Sequence, residues 1–99
     1  MRLTPDQVQA IKLAARNVLG DGTRVTLFGS RTNDQLLGGD IDLMFETPKQ
    51  LPNRAAAQGM LYAALVRQLG DRKMDVLLKD ANTPDAPVMR IARETGIAL

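Results

Sequence analysis

Apolar residues recur along the chain with two different spacings, which predict alternating helices and strands. Helical spacing begins after Thr4 and Pro5, which have the form of an N-cap and a first helical residue, and it ends at Gly20 and Gly22. Two further helical patterns cover residues 54–69 and residues 88–95. The periodic positions of the last helix are Val88, Ile91, Ala92 and Thr95.

Strand-like alternation occupies residues 24–28, 40–45 and 73–78. In the second segment Asp40 and Asp42 share one face with Met44, opposite the face of Ile41, Leu43 and Phe45. In the third segment Asp75 lies opposite the face of Met74, Val76 and Leu78. Residues 30–37 are expected to form a short helix or a structured loop. The last three residues are expected to pack onto the core or to pair at a sheet edge. The predicted order is therefore helix, strand, short helix or loop, strand, helix, strand, helix.

Composition narrows the class of protein without naming a function. The 99 residues fit one domain spanning residues 1–99, with 44% hydrophobic and 24% charged residues. The absence of Cys excludes disulfides and thiolate metal sites. No membrane-length apolar run and no secretory leader pattern are present, so we expect a cytoplasmic protein. A net charge of +2 with few aromatics disfavours nucleic acid as a partner.

The acid pair Asp40 and Asp42 is the first candidate site. Residues two apart on a strand point the same way, so their carboxylates repel unless a cation lies between them. Divalent metal resolves that repulsion, and Mg²⁺ suits an all-oxygen site that retains water and phosphate ligands. The alternative is that both are solvated residues on an exposed strand face, although Asp is depleted in strands.

A glycine-serine turn follows the first strand, at Gly29 and Ser30. Gly29 permits close approach of the backbone to a phosphate, and Ser30 is placed to cap the next element. Taken alone, the dipeptide is better explained as an ordinary turn. Its position before the acid pair is what favours nucleotide binding. Arg31 is either a phosphate ligand or a solvated loop residue. Asp75 is either a third acid of the same site or a surface residue.

These motifs resemble those of the polymerase-β-type nucleotidyltransferase superfamily, in particular its minimal single-domain prokaryotic members. The matching residues are Gly29-Ser30, Asp40-Ile41-Asp42-Leu43 and Asp75. The resemblance implies an α+β nucleotidyltransferase fold, with a small mixed sheet of about three strands and helices on one side. It also implies Mg²⁺-dependent transfer of a nucleoside monophosphate from a nucleoside triphosphate such as ATP. Many members have Ser before the first acid, where this chain has Gly39.

The resemblance implies a role for each site residue. Asp40 and Asp42 would bind both ions of a two-metal Mg²⁺ site. Asp75 would bind the catalytic ion and help to deprotonate the acceptor, while Gly29 and Ser30 would hold the triphosphate.

The resemblance also implies a partner, because minimal members are commonly antitoxins of helical HEPN-type ribonuclease toxins. They can adenylylate a tyrosine of the toxin. A chain of 99 residues leaves little room for a separate acceptor-binding domain, which agrees with a protein acceptor. Two other hypotheses remain open at this point: an antitoxin that neutralises its partner by binding alone, and transfer to RNA or to a small molecule.

Overall fold

The computed structural model describes residues 3–29, 41–70 and 73–99. Within these ranges helices and strands alternate in nearly the order that the sequence predicts. The elements are α1 (Pro5–Leu19), β1 (Arg24–Phe28), β2 (Ile41–Glu46), α2 (Arg54–Leu69), β3 (Met74–Lys79), α3 (Pro87–Thr95) and β4 (Ile97–Ala98). In the described ranges, no helix combines the length and the apolar character needed to cross a bilayer.

Local signals explain where the two long helices begin. At the start of α1 the Thr4 side chain accepts a hydrogen bond from the Gln7 backbone N–H at 3.1 Å. The Gln7 side chain accepts in return from the Thr4 N–H at 2.9 Å, which completes the predicted capping box. At the start of α2 the Asn53 side chain accepts from the backbone N–H of Ala56 at 3.0 Å. The predicted boundaries of both helices are therefore confirmed.

The described strands form one mixed sheet in the order β3-β2-β1-β4. β1 runs antiparallel to β2 and to β4, whereas β2 and β3 are parallel. The parallel pair is possible because α2 returns the chain to the same end of the sheet. The fourth strand is the addition to the predicted three: Ile97 and Ala98 pair with Leu27 and Thr26.

Side chains of α2 cover the outer edge of β3. The Gln58 amide donates a hydrogen bond to the Val76 carbonyl at 3.1 Å, and the Arg54 guanidinium donates to the Leu78 carbonyl at 3.1 Å. These carbonyls would otherwise face outward from the sheet. The edge is thereby partly closed to pairing with another strand.

Helices cover both faces of the sheet, which corrects the expectation of helices on one side. α1 and α2 pack on the face that carries Leu27, Leu43 and Phe45, the main core. α3 packs on the opposite face through Met89 and Ala92, which contact Met44. The physical reason is that the second face also carries apolar residues in the middle of its strands, and α3 removes them from water.

In α3 the predicted apolar position Ala92 is buried, whereas the predicted positions Val88 and Ile91 are not. Met89 and Ala92 are its buried residues, while Val88 and Ile91 are 49% and 59% exposed. A helix this short carries two apolar pairs at spacing i, i+3, and periodicity alone does not decide which pair faces the sheet.

Candidate active site

Two of the predicted acids lie side by side at one end of the sheet. Asp42 is the second residue of β2 and Asp75 the second residue of β3, and they are register partners in the parallel pair. Neighbouring strands are about 4.8 Å apart. The residues adjacent to both acids along the strands point into the main core, so both acids point to the face that α3 covers. Asp42 is partly buried and Asp75 is exposed.

Gly29 lies directly against the carboxyl group of Asp42. Phe28 is the register partner of Asp42 on β1, so the turn after β1 begins beside this acid. Gly29 has φ +73°, a backbone conformation that favours glycine. A Cβ at this position would collide with Oδ2 of Asp42 and would lie 3.0 Å from its Cγ. The glycine turn and Asp42 are therefore packed against each other. A larger residue at position 29 would require Asp42 or the backbone to move.

The face of the sheet that α3 covers is organised in three rows across the strands. We call these the acid row, the middle row and the charged row. The acid row consists of Phe28, Asp42 and Asp75, the middle row of Thr26, Met44 and Leu77, and the charged row of Arg24, Glu46 and Lys79. The acids thus lie at the opposite end of this face from the charged row.

The charged row holds α3 in place through Arg93. Its guanidinium donates to Glu46 at 3.1 Å and to Asp85 at 2.7 Å. The hydrogen bond from Arg93, with its positive charge, holds the pKa of Asp85 below its usual range. The same bond, together with that to Glu46, raises the pKa of Arg93. Because Arg93 is engaged by two carboxylates, its role is to position α3 rather than to meet a phosphate.

Two cavities among the described residues lie away from the acids. One of about 330 Å³ lies beside β4 and is lined by Arg24, Glu46 and Arg93 among others. Another of about 110 Å³ lies at the end of α1, near Lys12 and Arg16. Neither is lined by Asp42 or Asp75.

Half of the predicted site residues fall within the described residues. Gly29, Asp42 and Asp75 are brought together, as described above. Ser30, Arg31 and Asp40 lie outside the described residues, as does the predicted short helix or loop at 30–37.

Asp80 is a buried acid that the sequence analysis did not single out. Its carboxylate accepts hydrogen bonds from the Thr83 hydroxyl at 2.7 Å, the Leu51 N–H at 3.0 Å and the Asn82 N–H at 3.1 Å. These bonds, that of Thr83 first, lower the pKa of Asp80 against the effect of burial. Asp80 ties the loop after β3 to the loop before α2, so its role is structural. The signal in the sequence is the Asp-x-x-Thr spacing of a side-chain-bonded turn.

The donor set of Asp42 and Asp75 fits a hard divalent cation. Carboxylate oxygens are ligands of Mg²⁺, which commonly takes one or two carboxylates and completes its shell with water and phosphate. No cluster of three or more acidic, His or Cys residues suited to one ion occurs among residues 3–29, 41–70 and 73–99. Asp40, the further ligand implied by the resemblance, lies outside the described residues.

Comparison of the chain with models of known protein families found no match, and searches of curated proteins and of solved structures also found none. The resemblance to nucleotidyltransferases therefore rests on the motif residues of the sequence.

Proposed function

We propose that this protein is a Mg²⁺-dependent nucleotidyltransferase of the polymerase-β type that transfers AMP from ATP to a hydroxyl group of a protein. The observation that carries the proposal is the register of Asp42 and Asp75, with the Gly29 backbone packed against Asp42. Like charges directly opposite each other on neighbouring strands destabilise the pair, and a divalent cation bound between Asp42 and Asp75 would relieve that repulsion.

Asp42 and Asp75 would hold Mg²⁺, together with Asp40. Bound Mg²⁺ supplies positive charge to the phosphate oxygens and to the attacking oxygen. In the transfer, the acceptor oxygen forms a bond to the α-phosphorus, and the bond from that phosphorus to the pyrophosphate oxygen breaks. Pyrophosphate is the leaving group. Asp75, the exposed member of the pair, takes up the proton of the acceptor hydroxyl.

Gly29 brings the backbone of the turn directly against the Asp42 carboxyl group, so phosphates bound at Asp42 would lie beside that backbone. Ser30 and Arg31 are the further phosphate ligands that the sequence motif supplies. We propose a helical HEPN-type toxin as the acceptor, with this chain as its antitoxin. The competing hypothesis is an antitoxin that neutralises such a partner by binding, with little or no transfer.

The test uses ATP labelled either at the α-phosphate or at the γ-phosphate. The purified chain is incubated with Mg²⁺ and each ATP, with and without the protein encoded by the neighbouring gene. We expect α-label on the neighbouring protein and no γ-label, which distinguishes nucleotidyl transfer from phosphoryl transfer. Asp42→Asn should abolish labelling. Asp21→Asn, an exposed acid in the turn after α1, is the matched control and should retain it.

Two outcomes would contradict the enzymatic proposal. Labelling that survives Asp42→Asn would remove the acid pair from the reaction. A tight complex of the two proteins without any labelling would favour neutralisation by binding alone.

A further inference from the structure

The orientation of α3 is defined by contacts on its buried side and on one flank. Met89 and Ala92 point down onto the sheet. Arg93 leaves the helix on the flank that faces Glu46 and the cavity beside β4. This flank therefore faces the corner of the sheet formed by β4 and the charged row.

The opposite flank of α3 carries Val88 and Ile91. Successive helical residues are about 100° apart, which places this pair on the side of Met89 and Ala92 away from Arg93. The chain enters α3 from the end of β3, where Lys79 belongs to the charged row. It leaves α3 at Gly96, which lies against Thr26 on β1. The helix therefore crosses the sheet diagonally, and its second flank faces the corner that contains Asp42 and Asp75.

This second flank is an exposed apolar wall beside the acids. Val88 is 49% exposed and Ile91 59% exposed. At the foot of the wall lie Leu77 and Phe28, both partly buried and packed against the cluster of Met44 and Met89. We call Val88, Ile91, Leu77 and Phe28 the apolar wall. Its foot is close to the acids, because the middle row lies about 7 Å along the strands from the acid row and Phe28 belongs to the acid row itself.

We propose that the apolar wall binds the nucleobase of the nucleoside triphosphate whose phosphates meet Asp42 and Asp75. The inference rests on the proposed function and specifies how the same site holds its substrate. A nucleobase has flat apolar faces and is joined to the phosphates through one ribose, so a base site must lie close to the residues that meet the phosphates. Phe28 supplies an aromatic ring on this face, and aromatic rings stack with bases of every type.

The size of the wall favours a base over a protein as its occupant. A stable protein interface buries about 800 Å² on each partner, drawn from some 20–30 residues. Two exposed side chains and two partly buried ones form only a small part of such a surface. They are sufficient to cover one face of a purine.

The test compares ATP with inorganic tripolyphosphate, which carries the phosphates without the base. Calorimetric titration with each ligand in the presence of Mg²⁺ is carried out on the wild type, Ile91→Ser, Ile91→Leu and Met60→Ser. Met60 is the matched control, an apolar residue of α2 that is 62% exposed. We expect Ile91→Ser to weaken ATP binding about fivefold, from the lost apolar contact, and to leave tripolyphosphate binding unchanged. Ile91→Leu and Met60→Ser should bind both ligands like the wild type.

Several outcomes would overturn the proposal, and they are distinguishable. Equal affinity of the wild type for ATP and tripolyphosphate would exclude a base site while leaving the phosphate site intact. Loss of both ligands in Ile91→Ser, or of ATP in Met60→Ser, would indicate a general structural effect. Unchanged ATP binding in Ile91→Ser with weaker binding to the neighbouring protein would reassign the wall to protein docking. No binding of either ligand by the wild type would refute the proposed function, and this inference with it.

Discussion

Because Gly29 packs closely against Asp42, we predict that Gly29→Ala lowers the free energy of unfolding through two separable effects. In Gly29→Ala, the first part is the positive φ of +73°, which costs a non-glycine residue about 1–2 kcal/mol. The second is the collision with the Asp42 carboxyl group. It is relieved either by moving Asp42 off its preferred rotamer, at about 0.5–1.5 kcal/mol, or by shifting the backbone, at about 1–3 kcal/mol. We expect the two parts together to lower the free energy of unfolding by about 1.5–5 kcal/mol.

Gly22→Ala is the matched control for the conformational part. Gly22 has φ +84°, and a Cβ there would meet Pro48 at ordinary contact distances of 3.6 and 3.9 Å. Its expected cost is therefore about 1–2 kcal/mol, from backbone conformation alone. Urea unfolding followed by circular dichroism measures both variants on the same scale.

A double-mutant cycle isolates the collision. Asp42→Ala removes the carboxyl group that a side chain at position 29 would strike. In that background we expect Gly29→Ala to cost no more than Gly22→Ala, which gives a coupling free energy of about 1–2 kcal/mol. If Gly29→Ala costs the same with and without the Asp42 carboxyl group, then the two residues are not packed as described and the geometry of the candidate site is wrong.

Three further predictions concern the metal site, one buried acid and the core. Saturating Mn²⁺ should raise the urea midpoint of the wild type and leave the Asp42→Asn, Asp75→Asn double variant unchanged; an equal rise in both would contradict a metal site at these residues. Because its hydrogen bonds lower the pKa of Asp80, the ionised form contributes stability that is present at neutral pH and lost as the pH falls below about 4. At neutral pH, Asp80→Asn should therefore have a lower melting temperature than the wild type. Its melting temperature should also fall less than that of the wild type as the solution is acidified; an equal fall would refute this assignment. Phe45→Ala should cost about 3–5 kcal/mol in urea unfolding, because Phe45 is 0% exposed at the centre of the main core; a cost under ~1 kcal/mol would be inconsistent with that position.

Local sequence signals predicted the elements, because each of these signals acts within a few residues. The capping box at Thr4 determines the start of α1, and alternation identifies β1. The same alternation places Asp42 and Asp75 opposite the core face of their strands. Alternation does not predict that β2 and β3 are neighbours in the sheet or which of their residues are register partners. Both depend on how α2, which connects these strands, packs on the core.

The buried side of α3, the pairing of β4 and the hydrogen bonds of Asp80 could not be predicted, because contacts between distant segments decide them. In α3, the pair Val88 and Ile91 and the pair Met89 and Ala92 have the same spacing, and contact with Met44 decides between them. The pairing of β4 with β1 involves only two residues, too few to carry a recognisable alternation. The hydrogen bonds to Asp80 come partly from Leu51, far away in sequence, so only the turn itself was visible.

The parallel pairing of β2 with β3 has a consequence for when the candidate site comes into existence. Asp42 and Asp75 are separated in the chain by the whole of α2, and they meet only when that crossover has closed. Contacts between distant segments form late in folding, since the entropy of loop closure must first be overcome. While β3 is still inside the ribosome, the emerged part of the chain contains Gly29 and Asp42 but not Asp75. The two acids therefore cannot yet pair. A truncated product that ends before β3 would therefore lack the paired acids of the candidate site.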